Sequence, residues 1–111
     1  MAIFRRHTGD LRVEQDLQFV GVVTGTVAVC AGAHFSLDGS VMKNLLVQAG
    51  GTAIVRGRIM KDLRVQMDGR AVVQGTVMGN LTVQVKGSAI IHGNVWGTVL
   101  NEGGEVKILR Q

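Results

Sequence analysis

The 111 residues are enough for one domain, and sixteen glycines with many β-branched residues make a helical fold costly. A formal charge of +4 raises the question of nucleic acid. One tryptophan, three phenylalanines and no tyrosine are too few for a base-stacking platform, so that partner is set aside. The single cysteine, Cys30, excludes an internal disulfide and suits a reducing compartment.

In chain order, residues 1–8 read as an N-terminal tail and residues 9–111 as one β-solenoid domain. The tail admits two roles. Ile3 and Phe4 can enter a membrane surface while Arg5 and Arg6 pair with anionic head groups, a weak contact for a single copy; alternatively the segment is a strand that caps the first coil. Next, Gly9-Asp10-Leu11-Arg12-Val13 matches Gly25-Thr26-Val27-Ala28-Val29, and Leu17 and Phe19 complete a shortened first coil. Five stretches of eighteen residues follow, opening at Gly21, Gly39, Gly57, Gly75 and Gly93. A fixed period of this kind marks a repeat architecture, because only a constant period stacks matching side chains into columns. At the C-terminal end Val106 and Ile108 fall into the same columns once one residue is dropped at Gly103-Gly104.

Counting places from each opening glycine, the third is Val23, Val41, Ile59, Val77 and Val95, and the seventh is Val27, Leu45, Leu63, Leu81 and Val99. The ninth is Val29, Val47, Val65, Val83 and then Asn101, the fifteenth begins Phe35, Ala53, Ala71, and the seventeenth begins Leu37, Val55, Val73. Aliphatic residues at alternating places, many of them β-branched, indicate strands with one buried face. The predicted fold is therefore all-β, a single-domain parallel β-helix of about six coils. Antiparallel hairpins are the competitor, but they do not require a constant eighteen-residue register. Glycines at the first place and often at the thirteenth (Gly51, Gly69, Gly87) are expected to supply positive φ at corners. Asn44, Asp62 and Asn80 at the sixth place, and Gln48, Gln66 and Gln84 at the tenth, are expected to form hydrogen-bonded ladders between coils.

Two further columns are apolar where a solvent-facing position is expected: Met42, Met60, Met78 and Trp96 at the fourth place, and Ile54, Val72 and Ile90 at the sixteenth. They form either a lateral surface for a protein partner or a second copy, or additional core if a corner changes the in/out parity. Carboxylates do not gather in register, and His7, His34 and His92 lie in distant coils, so the sequence offers no acid/base pair, metal set or cofactor site and argues against an enzyme. The unequal apolar spacing does not fit hexapeptide transferases, and no ladder of outward threonines supports ice binding. There is no apolar run of membrane-spanning length and no secretory signal, which gives the cytoplasm as the expected location.

The run Gly75-Thr76-Val77-Met78-Gly79-Asn80-Leu81-Thr82-Val83, together with Ala71 to Gly75 and Ala89 to Gly93, resembles the repeat of bactofilins, bacterial cytoskeletal proteins whose β-helix polymerises without nucleotide. The resemblance covers residues 9 to 108. It implies self-assembly through the rod ends, around Leu11 and Val13 at one end and Val106 and Ile108 at the other, because an unpaired strand edge is a template for another chain. Met1-Ala2-Ile3-Phe4-Arg5-Arg6 is similar to the short membrane-targeting start common in that family, which places the expected location at the inner face of a membrane. The flexible tails usual in bactofilins are almost absent here. A non-polymerising binding module that uses the Met/Trp and Ile/Val columns is the alternative.

Overall fold

The computed structural model describes residues 2–109, with backbone alone for residues 2–5. Thirteen strands and no helix make up the described chain. They form two sheets, and every pairing is parallel. Odd-numbered strands, β1 (Ala2–His7), β3 (Leu17–Val23), β5 (His34–Val41), β7 (Thr52–Ile59), β9 (Arg70–Val77), β11 (Ser88–Val95) and β13 (Glu105–Leu109), build a seven-stranded sheet in that order. Even-numbered strands, β2 (Leu11–Val13), β4 (Val27–Val29), β6 (Leu45–Val47), β8 (Leu63–Val65), β10 (Leu81–Val83) and β12 (Val99–Asn101), build a six-stranded sheet. Each coil thus contributes one long strand, such as β7 (Thr52–Ile59), and one short strand, such as β8 (Leu63–Val65). Partners in neighbouring full coils are eighteen residues apart, as in Ala53 with Ala71 and Leu45 with Leu63. The chain is a parallel β-solenoid.

The core follows the columns. All third-, seventh- and ninth-place residues from Val23 to Val83 are buried, as are Phe35, Ala53, Ala71 and Ala89 and the column Leu37, Val55, Val73 and Ile91. Each buried Val, Leu or Ile side chain contributes about 1.5–3 kcal/mol, and alternation along the strand gives each sheet one apolar face to spend on this core. Among the described residues no polar or charged side chain is buried.

Glycine at the first place does not separate two strands, as the repeat suggests, but bends one. β5 (His34–Val41), β7, β9 (Arg70–Val77) and β11 (Ser88–Val95) each run straight through it, with φ between 148° and 157° at Gly39, Gly57, Gly75 and Gly93. Here the need for glycine is twofold. The φ disfavours any side chain, and a Cβ on Gly57 would sit on the carbonyl oxygen of Gly39 in the preceding coil. The bend folds the large sheet around the core, so fifteenth- and seventeenth-place residues on one limb and third-place residues on the other all point inward.

The second corner differs from expectation. Positive φ falls at the twelfth place, on Gly32, Gly50, Asp68 and Lys86, and not on Gly51, Gly69 or Gly87. The thirteenth-place N–H closes a four-residue turn onto the tenth-place carbonyl (Gly51 to Gln48, 2.9 Å; Gly69 to Gln66, 2.9 Å), with positive φ at the third residue as a type II turn requires. At Gly51, Gly69 and Gly87 the backbone is crowded, and a Cβ on Gly51 would lie 2.9 Å from the carbonyl oxygens of Val29 and Cys30, whereas the first full coil makes the same turn with the buried Ala33.

Candidate functional site

The rod has two ends, and each exposes the edge strand of both sheets. At the N-terminal end these are β1 (Ala2–His7) and β2 (Leu11–Val13); at the C-terminal end they are β13 (Glu105–Leu109) and β12 (Val99–Asn101). The four residues expected to mark the ends fall on β2 and β13. Val13 is buried, while Leu11, Val106 and Ile108 are half-buried against the core. They lie on edges of different sheets, so a second coil stacked on either end must also meet β1 or β12, which the repeat did not single out.

β1 was legible in principle. Leu11 pairs with Val27 at an offset of sixteen, and the same offset carries Phe19 back to Ile3, the pairing that the backbone makes. Residues 2–7 are thus not a free tail but the outermost rung of the large sheet, with Arg6 beside Val22 and His7 beside Val23. The side chains of Ile3, Phe4 and Arg5, the proposed membrane contact, lie outside the described residues; Arg6 is exposed.

The C-terminal end is the more open one. Leu81 is fully buried, but Val99, its partner one coil further on, is 38% exposed. Leu100 and Leu109 are exposed as well. Val99, assigned to the core by its column, is a correction: β12 is the edge strand of its sheet among the described residues, and no described strand covers Val99 on its outer side. The core columns therefore surface at this end beside two strand edges, and backbone groups and apolar side chains are presented together.

On the long sides, the parity question resolves outward. Met42 is 43% and Trp96 68% exposed, Ile54 is exposed, and Met60, Met78, Val72 and Ile90 are half-buried; none joins the core. The two columns do not merge into one surface. The glycine bend separates them, with two polar columns between, Asp38-Arg56-Gln74-His92 and Ser40-Arg58-Thr76-Asn94.

The sixth-place ladder forms, though through the backbone. Asn44 Oδ1 accepts the Asp62 N–H at 3.0 Å, Asp62 Oδ1 accepts the Asn80 N–H at 2.8 Å, and Asn80 Oδ1 accepts the Thr98 N–H at 2.9 Å. Asp10 serves Thr26 in the same way at 2.8 Å. A side-chain oxygen thus satisfies a corner N–H that has no strand partner. Gln48, Gln66 and Gln84 are half-buried, and their side chains make no such bonds among the described residues.

Polar contacts elsewhere are at the surface. His34 Nδ1 lies 3.2 Å from Asp16 Oδ1, and Arg12 Nε lies 3.9 Å from Glu14 Oε1. The Arg12 Nε–H donates to Cys30 Sγ at 3.4 Å, and that bond, with Glu14 nearby, raises the guanidinium pKa further above its already high value. Among the described residues no three His, Cys, Asp or Glu side chains come together as a metal site. The fold thus defines a β-solenoid whose distinctive features are its open ends and outer columns. Compared with family models, curated proteins and solved structures, the chain matches none.

Proposed function

We propose that this chain is a structural protein that self-assembles through its rod ends into filaments or oligomers, a scaffold of the bactofilin kind. The observation that carries this reading is the C-terminal end, where Val99, Leu100 and Leu109 are exposed on or beside the unpaired edges β12 and β13. Exposed edges with apolar neighbours are strand-pairing templates, and natural proteins otherwise blunt or cover them. Stacking a second rod there extends both sheets by a rung, pairs the free N–H and C=O groups, and covers the core columns in one step. The bactofilin-like repeat supports the same reading independently of the geometry. Polymerisation of this sort needs no nucleotide, since burial and backbone pairing supply the driving force.

Sedimentation velocity across a concentration series, with negative-stain microscopy of the same samples, tests it. The expected result is mass that grows with concentration and elongated particles in units of the rod length. Val99→Glu with Leu109→Glu, which puts carboxylates at the exposed end, should return the protein to a single rod of unchanged thermal stability. A monomer at every concentration and salt condition contradicts the proposal.

A further inference from the structure

The limb of the large sheet that follows the glycine bend, with the corner after it, carries more cations than carboxylates. Its second-place column runs in unbroken register through Arg6, Val22, Ser40, Arg58, Thr76 and Asn94. Beside it stand Met42, Met60, Met78 and Trp96. Each is fixed by its N–H donating to the third-place carbonyl one coil back, Met42 to Val23 at 2.8 Å and Trp96 to Val77 at 2.9 Å. Lys43 and Lys61, both exposed, border that column at the fifth place.

From the second place to the corner at the fifth, counting the N-terminal rung, stand Arg6, Lys43, Arg58 and Lys61; the nearest carboxylates, Asp10 and Asp62 at the sixth place, are exposed and accept the Thr26 and Asn80 N–H groups. The other outer faces mix signs: Arg56 and Arg70 share theirs with Asp38 and Glu105, and Arg12 and Arg64 share theirs with Glu14 and Glu102. Among the described residues the ion pairs are Arg12 with Glu14 and His34 with Asp16, neither on this limb.

We propose that this limb is a lipid-facing surface, which lays the rod against an anionic membrane with the Met/Trp column in the head-group layer and the four cations over lipid phosphates. Charge complementarity names the partner, and shape favours a bilayer over a protein. The large sheet bends around the core at the first-place glycines, and a bent sheet is convex on its outer side. A line of apolar side chains flanked by cations is what a planar anionic surface accommodates, and tryptophan is suited to that interface by its apolar body and polar N–H. The proposal does not depend on end-to-end assembly or on residues 2–5.

Trp96 is the only tryptophan in the chain, so its fluorescence reports from the contact itself. With vesicles of phosphatidylcholine and phosphatidylglycerol in equal parts, the full chain should show blue-shifted emission and protection from acrylamide, and neither with phosphatidylcholine alone. Each basic side chain near an anionic surface is worth about fivefold in partitioning, so Lys43→Glu with Lys61→Glu should weaken binding by at least about twenty-five-fold. Arg56→Glu with Arg70→Glu, on the other limb, should change it only a few-fold at an ionic strength of about 0.15 M, where the Debye length is about 8 Å. All four positions are exposed, and an unchanged melting curve for each variant excludes loss of the fold. Vesicle binding with unshifted Trp96 emission overturns the proposal by placing the contact elsewhere, and so does equal loss in the two double variants. Failure to bind any vesicle, with a Trp96 shift on adding polyglutamate instead, overturns it in favour of an acidic protein partner.

Discussion

Leu81 and Val99 stand in one column of adjacent coils and are backbone partners, yet the first is sealed in the core and the second is more than a third exposed. Val83 and Asn101 repeat the contrast: the same place is buried and apolar in one coil, exposed and polar in the next. At the opposite end the outermost rung β1 lies over β3 (Leu17–Val23), and Phe19 is buried at 2% exposure. The difference teaches that a residue in a solenoid is buried by the coils above and below it as well as by its own, so the final coil repeats the pattern without its benefit. Interior coils hold the fold together, and the last coil presents it.

The largest effect expected within this contrast comes from the interior bend. Gly57→Ala forces a Cβ onto the Gly39 carbonyl and should cost more than about 4 kcal/mol or prevent folding, whereas Gly32→Ala, where the space is open, should cost only the left-handed penalty of about 1–2 kcal/mol. Urea unfolding of the two variants measures both. Next, Leu81→Ala should cost about 3 kcal/mol and Val99→Ala less than about 1 kcal/mol, although the two share a column. Equal costs in chemical denaturation would mean that Val99 is covered in solution, as it would be in an assembled state, and repeating the measurement at high dilution separates these cases.

Smaller effects lie in the corners that join interior to end. Asn80→Ala removes the acceptor for the Thr98 N–H and should cost about 1 kcal/mol, with faster amide exchange over 98–101 and little change in coils nearer the N-terminus. Lys86 adopts φ 61° in a turn position that is glycine in two other coils. Lys86→Gly should therefore stabilise the protein by about 1 kcal/mol in thermal or urea unfolding, the reverse of the usual glycine effect.

The columns were legible because a constant period makes each residue's environment the average of its neighbours' environments, and those neighbours are in the sequence. Local geometry at corners was not. A type II turn with glycine at its fourth residue and Asp68 or Lys86 at its third looks, in sequence, like a turn whose strain sits on the glycine. The Met/Trp and Ile/Val columns were correctly identified as apolar, but whether they met depended on a bend at the first place that their spacing does not record. A strand capping the first coil was one of two readings of the N-terminal segment; its register was harder to see, because the shortened first coil pairs at an offset of sixteen and breaks the eighteen-residue period that revealed the rest. Val99 was assigned by its column, which describes a coil with neighbours on both sides.

The central claim is that the rod ends, and not its sides, join one copy to another. Hydrogen exchange measured residue by residue over a concentration series tests it most directly, because stacking must pair the free edges of β12 and β13 or of β1 and β2. The expected result is amide protection that rises with concentration in at least one end pair, most strongly over 99–109, while β5 to β10 (His34–Val83) stay as they are in the single rod. End-strand protection that stays flat while the mass of the particles grows would contradict it.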